Sequence, residues 1–228
     1  MLNYLWLDHC SPILGQLPAP FKSCAILLHP FVRMPAGWTA AQPDSEDVFL
    51  SGEEALEKGQ PVPWQKVMKD SGLNSLDELA LALQTAIVGL RKEYARKDLA
   101  EALDNYMDPD LYLPPEDQTS VFLLGSLLNV LGSKQAESIY YSSPIPLTEG
   151  SMPLKEAAPL GILGLSNAEL IITDQQMDYA FMSVIDSFIT LFLAKETDIE
   201  HIIRSSKWEA IICGNNTCLN WYLQENHT

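Results

Sequence analysis

Apolar and polar positions along the chain change their rhythm about half-way. In the first half the clearest pattern is "NSLDELALALQTAIVGLRKEYARKD", residues 74–98. Leu76, Leu79, Ala80, Leu83, Ile87, Leu90 and Tyr94 recur three and four residues apart, which predicts an amphipathic helix packed by one face. Ser75 and Glu78 have capping-box spacing at its start. Ser51 and Glu54 repeat that spacing, so a short helix is expected from Ser51 to about Gly59. A helical stretch at 99–107 and a helix apolar nearly all round at 120–132, closed by Gly132, complete this half. One exception stands early: "KSCAILLHPFV", residues 22–32, is short, uninterrupted and bounded by turn residues, as a buried strand is.

From residue 133 the rhythm shortens. "ESIYYSS" predicts a strand, a Pro- and Gly-rich stretch at 144–165 a linker, and "AELIITDQQMDYAFMSV" a hairpin turning at Asp174-Gln175-Gln176. "DSFITLFLA" suits a strand or a helix equally. "DIEHIIRS" predicts a short helix with Asp198 at its N-cap. "KWEAIIC" and "TCLNWYLQ" predict a closing hairpin. Helices first and mostly antiparallel strands afterwards define an α+β protein. A single globular domain over 1–228 is expected, any subdivision falling near 133–165.

Composition changes this picture in one respect. With 47% hydrophobic residues a core forms without staples, but fourteen basic against thirty acidic residues leave a net charge of −16. That field repels phosphate backbones, and Arg91, Lys92, Arg96 and Lys97, the densest basic group, fall where the C-terminus of the 74–98 helix attracts cations. Nucleic acid is therefore not an expected partner. The surface suits either a basic protein partner or plain solubility. The longest apolar stretch, 179–194, is interrupted by Asp186 and is too short to span a bilayer, and the N-terminus lacks a basic leader. A cytoplasmic protein is expected, with its four cysteines reduced and the Asn215 and Asn226 acceptor patterns incidental.

Candidate chemistry is sparse. Cys213 and Cys218 flank Gly214-Asn215-Asn216-Thr217, so a hairpin there sets the two sulfurs face to face. A disulfide, half a metal site and a reactive thiol are all open to that arrangement. The compartment opposes the first and missing ligands the second, since His9, Cys10, Cys24 and His29 follow no zinc spacing. No metal and no cofactor are expected. Phosphate-loop, dinucleotide, nucleophile-elbow and zinc-protease motifs are absent from the sequence. Of His9, His29, His201 and His227, His29 at the end of a buried strand is the best-placed base, with Cys213 as alternative nucleophile. Asp174, Asp178 and Asp186 are the notable acids; Asp186, breaking an apolar run, must be solvated, paired or part of a site. Asp104, Asp108 and Asp110 read as a solvated face, and the tryptophans as core or interface residues.

Two stretches, "DYAFMSVIDSFITLFLA" and "WEAIICGNNTCLNWY", resemble an uncharacterised bacterial family of unknown function, some of whose likenesses stand in toxin–immunity neighbourhoods. The matching positions are Asp186, Phe188, Thr190 and Leu191, then Glu209, Cys213, Thr217 and Trp221, about a quarter of the chain. Related sequences carry a histidine just after the threonine, where this chain has Cys218-Leu219. The resemblance implies Asp186, Glu209, Cys213, Thr217 and Trp221 as binding residues but no established activity; its toxin–immunity hint, taken with the acidic surface, leads to the expectation of an immunity-type protein that neutralises a basic partner. The competing reading is a small-molecule hydrolase using His29 or Cys213 with nearby carboxylates.

Overall fold

The computed structural model describes residues 2–41, 50–145 and 147–223. In chain order the elements begin with strands β1 (Ser23–Leu28) and β2 (Phe31–Arg33), helix α1 (Gly52–Lys58) and strand β3 (Gln60–Val62). Helices α2 (Trp64–Ser71), α3 (Leu76–Ala86) and α4 (Lys97–Tyr106) lead to β4 (Leu111–Tyr112) and α5 (Val121–Gly132). Strands β5 (Ser138–Ser142) and β6 (Glu149–Pro153), helix α6 (Pro159–Leu163) and strands β7 (Ile171–Asp174), β8 (Tyr179–Ser183) and β9 (Ile189–Ala194) follow, then α7 (Glu200–Ser206) and β10 (Ala210–Ile212). The fold is α+β.

These elements form two compact units. One combines the residues up to His29 with Pro115–Leu219; the other combines Pro30–Pro114 with the residues from Asn220. All three boundaries between them lie outside 133–165.

The first unit is built on a seven-stranded antiparallel sheet, ordered β10-β1-β9-β8-β7-β5-β6. β1 and β9 are buried at all six positions, which explains their uninterrupted apolar runs. "DSFITLFLA" is thus strand from Ile189, with Asp186 in the turn before it. On one face Ala25, Leu27, Phe181, Phe192 and Ile172 meet Leu123, Leu127 and Leu131 of α5, Ile162 of α6 and Ile202 of α7. Phe192 is fully buried, stacked on Phe181 at 5.0 Å and met edge-on by Trp208 at 5.5 Å. The indole of Trp208 donates to Ser126 Oγ at 2.7 Å, so the most polar atom of this cluster is satisfied.

Two expectations fail in this unit. The stretch 144–165 is not a linker: β6 pairs with β5 along five residues, and α6 starts with Pro159 at its first position. Nor do the described residues form a closing hairpin. Gly214–Thr217 makes the expected turn, the Thr217 amide donating to Gly214 O at 3.2 Å, but β10 pairs with β1. The chain after the turn bonds instead to the N-terminal segment: Ile13 N donates to Thr217 O at 2.8 Å and Cys218 Sγ to Cys10 O at 3.1 Å.

The second unit holds a three-stranded sheet, β3-β2-β4, and helices α1 to α4. Its core includes Phe31, Trp64, Val67, Leu79, Leu83 and Leu103. Both serines cap their helices, but only one forms the full box: Ser51 caps α1 reciprocally with Glu54, whereas the Ser75 hydroxyl accepts from Glu78 N and the Glu78 carboxylate accepts from Asn74 N rather than Ser75 N. The long helix of 74–98, however, ends at Ala86. Val88 takes φ +60°, its amide bonds Thr85 O and the Gly89 amide bonds Gln84 O, which together close the helix in a Schellman motif. Leu90 and Tyr94 only continue the spacing. Arg96 and Lys97 therefore stand at the start of α4, where Arg96 pairs with Asp98 at 2.7 Å, and do not complement a helix C-terminus.

Valine is a poor residue for a left-handed position, the cost being about 1–2 kcal/mol. Val88 is 83% exposed and has little packing to lose. Val88→Gly is accordingly expected to stabilise the protein by about 1 kcal/mol, read as a higher urea midpoint at unchanged slope. A lower midpoint would count against this account of the helix end.

Candidate functional site

The polar groups of the first unit gather at one end of its sheet, where β1 and β8 finish and β7 and β9 begin. His29 follows β1 directly. Its amide donates to Phe188 O at 3.0 Å, and its ring is fully buried. Nδ1 lies 2.9 Å from Pro115 O; a carbonyl only accepts, so the proton sits on Nδ1. In the neutral ring Nε2 then accepts from Thr190 Oγ1 at 2.8 Å, which leaves Thr190 to accept from Thr119 Oγ1 at 2.9 Å. Burial holds the imidazole neutral and pulls its pKa down to about 4, against the opposing pull of the Pro115 carbonyl.

The segment tied to His29 continues into Glu116 and Asp117. Asp117 N donates to Ser187 O at 3.1 Å, and Asp117 Oδ1 accepts from Asp186 N at 2.6 Å. Asp117 at φ +62° and Asp186 at φ +49° both occupy the left-handed region, which Asp tolerates better than most residues. One carboxylate oxygen from each of Glu116, Asp117 and Asp186 lies within 4.8 Å of the others. Glu169, two residues before β7, lies outside that trio but feels the charges of Asp117 and Asp186: it is 2% exposed, and its Oε2 is buried without a hydrogen-bond partner. Burial, reinforced by the neighbouring negative charges, raises the carboxyl pKa of Glu116, Asp117 and Glu169 above the ordinary range. Tyr4, whose hydroxyl donates to Ser183 O at 3.0 Å, is raised by burial first and by Glu169 and Asp117 next.

Of the residues singled out from sequence, this end of the sheet brings together His29 and Asp186. Glu209 borders it, its carbonyl accepting from Leu28 N at 2.9 Å. Cys213 is at the opposite end of β1, where its amide donates to Cys24 O at 2.9 Å. Five residue steps of extended chain lead from Cys24 to His29, about 17 Å, so Cys213 and His29 are not a nucleophile–base pair. The Cys213 thiol neighbours that of Cys24, which is pushed up by burial and by Cys213, while Cys218 Sγ donates to Cys10 O; all four cysteines are free thiols. Cys10 is exposed, so the His9, Cys10, Cys24 and His29 group is dispersed.

Thr217 serves its own turn, Oγ1 accepting from Gly214 N at 3.0 Å. Trp221 belongs to the second unit, edge-on to Tyr222 at 5.0 Å. His227 and the Asn226 acceptor pattern lie outside the described residues. Asp174 closes the β7–β8 turn by accepting from the amides of Gln176, Asp178 and Tyr179, and Asp178 pairs with Lys195 at 3.1 Å. Asp108 and Asp110 are more than a solvated face: the first pairs with Arg33, and the second accepts from the amides of Gly37 and Thr39. Sequence reasoning passed over Glu116, Asp117 and Glu169. The one signal available was that Glu169 adjoins an apolar strand run, as Asp186 interrupts another.

These features define an acidic α+β protein whose most concentrated polar site is a carboxylate group at a sheet end. Residues 9–223 match the family described as "Protein of unknown function (DUF2711)", and the chain belongs to that family. It is 43% identical over 224 residues to the "Uncharacterized protein YwbB" of Bacillus subtilis (strain 168), covering 97% of this chain and all of that protein. No solved structure matches. No described helix is long and apolar enough to cross a membrane.

Proposed function

We propose that this chain is an acidic binding protein without chemistry of its own, which takes a basic protein partner in the cytoplasm as an immunity-type protein does. The observation that carries the reading is the unbalanced surface charge. Ion pairs between described residues engage six carboxylates, those of Asp70, Asp98, Asp108, Asp178, Glu196 and Glu200. The sequence holds thirty acidic residues, so a large negative field remains to steer a cationic surface. The hydrolase reading has less behind it, because both ring nitrogens of His29 are engaged in the interior and Cys213 stands far along the strand.

The test is affinity capture with the full chain, followed by titration of the purified partner. A protein richer in Lys and Arg than in Asp and Glu is expected, its affinity falling at least about tenfold between low and high salt. Failure to retain a basic protein, together with turnover of an ester panel that His29→Gln abolishes, would overturn the reading in favour of the enzyme.

A further inference from the structure

We propose that the carboxylates of Glu116, Asp117 and Asp186, with the buried carboxylate of Glu169 beside them, form a binding site for one hard divalent cation, calcium in preference to magnesium. The proposal is independent of the partner reading and concerns only the end of the first unit's sheet.

Three observations lead to it. The first is the donor set, which is all oxygen and all anionic, the chemistry that selects calcium, magnesium or manganese over softer metals. The second is spacing. Oxygens from Glu116, Asp117 and Asp186 lie within 4.8 Å of one another. Oxygens that close can share one ion, since ligands at about 2.4 Å from calcium stand up to about 4.8 Å apart across it. Calcium is favoured over magnesium by the donor set: calcium takes several protein carboxylates at once, whereas magnesium dehydrates reluctantly and takes one or two.

The third observation is Glu169, which an acidic surface patch alone does not explain. A carboxylate this buried is costly unless something positive or hydrogen-bonding meets it, yet its Oε2 meets nothing among the described residues. Its place is set by the β7–β8 ladder. Ile171 pairs with Met182, and Leu170 exchanges backbone and side-chain bonds with Ser183. Continued by one residue, that register puts Glu169 opposite Val184 and on the same side of the sheet, two residues before Asp186. The repulsion it shares with Asp117 and Asp186 agrees with that placement. Among the described residues, Glu116, Asp117 and Glu169 form no ion pair with a basic side chain.

The segments are also held for the purpose. Asp117 is anchored by its amide on Ser187 O and by its Oδ1 on Asp186 N, leaving Oδ2 for a ligand. A cation there offsets the mutual repulsion of the three carboxylates and the charge of the buried Glu169 beside them.

The experiment is a calorimetric titration of calcium chloride into the metal-free full chain, beside Asp117→Asn and Glu169→Gln, with magnesium chloride as comparison. Asparagine keeps the acceptor for Asp186 N, and circular dichroism establishes that each variant is folded; Asp186→Asn replaces Asp117→Asn if that chain does not fold. One calcium per chain is expected, tighter than magnesium. Each variant weakens it at least about tenfold. Calcium raises the melting temperature of the wild type. In metal-free buffer Glu169→Gln melts higher than the wild type, because a buried charge is gone. No saturable uptake, or uptake unchanged in either variant, overturns the proposal, since a diffuse acidic surface gives that result. Partner capture repeated in chelator reports on the partner reading separately.

Discussion

Phe192→Ala is expected to cost about 4 kcal/mol, the largest effect of any single truncation in the first unit. The side chain is fully buried on central strand β9 and touches three aromatic rings: Phe181 stacked, Trp208 edge-on and Tyr179 tilted at 5.7 Å. Alanine removes both the transfer energy of the ring and these ring contacts, each worth about 0.5–1.5 kcal/mol beyond area. The hole is hard to close. Its walls are residues of neighbouring strands and α5, whose spacing the backbone ladder sets. Phe192→Leu should recover more than half of the loss, and Trp6→Ala, at a 69% exposed position, should change stability by less than about 0.5 kcal/mol. Urea unfolding followed by circular dichroism measures all three. A loss below about 2 kcal/mol for Phe192→Ala would show that the core repacks.

The second large effect is pH-dependent and belongs to His29. Its folded pKa of about 4 lies below the ordinary histidine value of 6.5. Between these values the unfolded chain takes up a proton that the folded protein refuses, so stability falls as pH falls through that window. The full difference amounts to about 3 kcal/mol, all of it lost below about pH 4. Glu116, Asp117 and Glu169 act with the opposite sign: their raised folded pKa values mean that protonation relieves first the cost of burying the charge and then its repulsion, adding stability as pH falls. The histidine contribution is therefore read from the difference between wild type and His29→Gln. Glutamine reproduces one donor and one acceptor but does not titrate. The difference curve should change by about 3 kcal/mol between pH 7 and pH 4. Parallel curves would show that His29 titrates normally, and with it that the ring is not sealed.

How much of this was legible in the sequence follows from the range of each interaction. Ser51 with Glu54 and the run SCAILL are local statements, and both stand where the residues placed them. The end of α3 is local too, yet it was misread: Ile87, Leu90 and Tyr94 prolong the apolar spacing, while the αL position falls on Val88, one residue before the glycine that normally marks it. The Asn-Asn turn was readable, but not the partner of the strand before it, because β10 chooses β1 from the other end of the chain. The carboxylate site fails for the same reason. Its members and the neighbouring Glu169 come from the segment after Pro115, the β8–β9 turn and a position two residues before β7, and no spacing rule links them. Only Asp186 betrayed itself, by interrupting apolar residues.

The placement of β1 has a consequence for the order of events during synthesis. This strand is made early but lies between β9 and β10 in the sheet, so its neighbours leave the ribosome about 160 residues later. Until then six consecutive residues that end up buried, Ser23 to Leu28, have no strand beside them. The residues translated in between include all of Pro30–Pro114, which belongs to the other compact unit and has its own core. The later unit to emerge is thus the one that must reach back. The sheet closes only when β9 and β10 return to a strand waiting since the start, and chain breaks before β9 leave β1 an exposed, aggregation-prone edge.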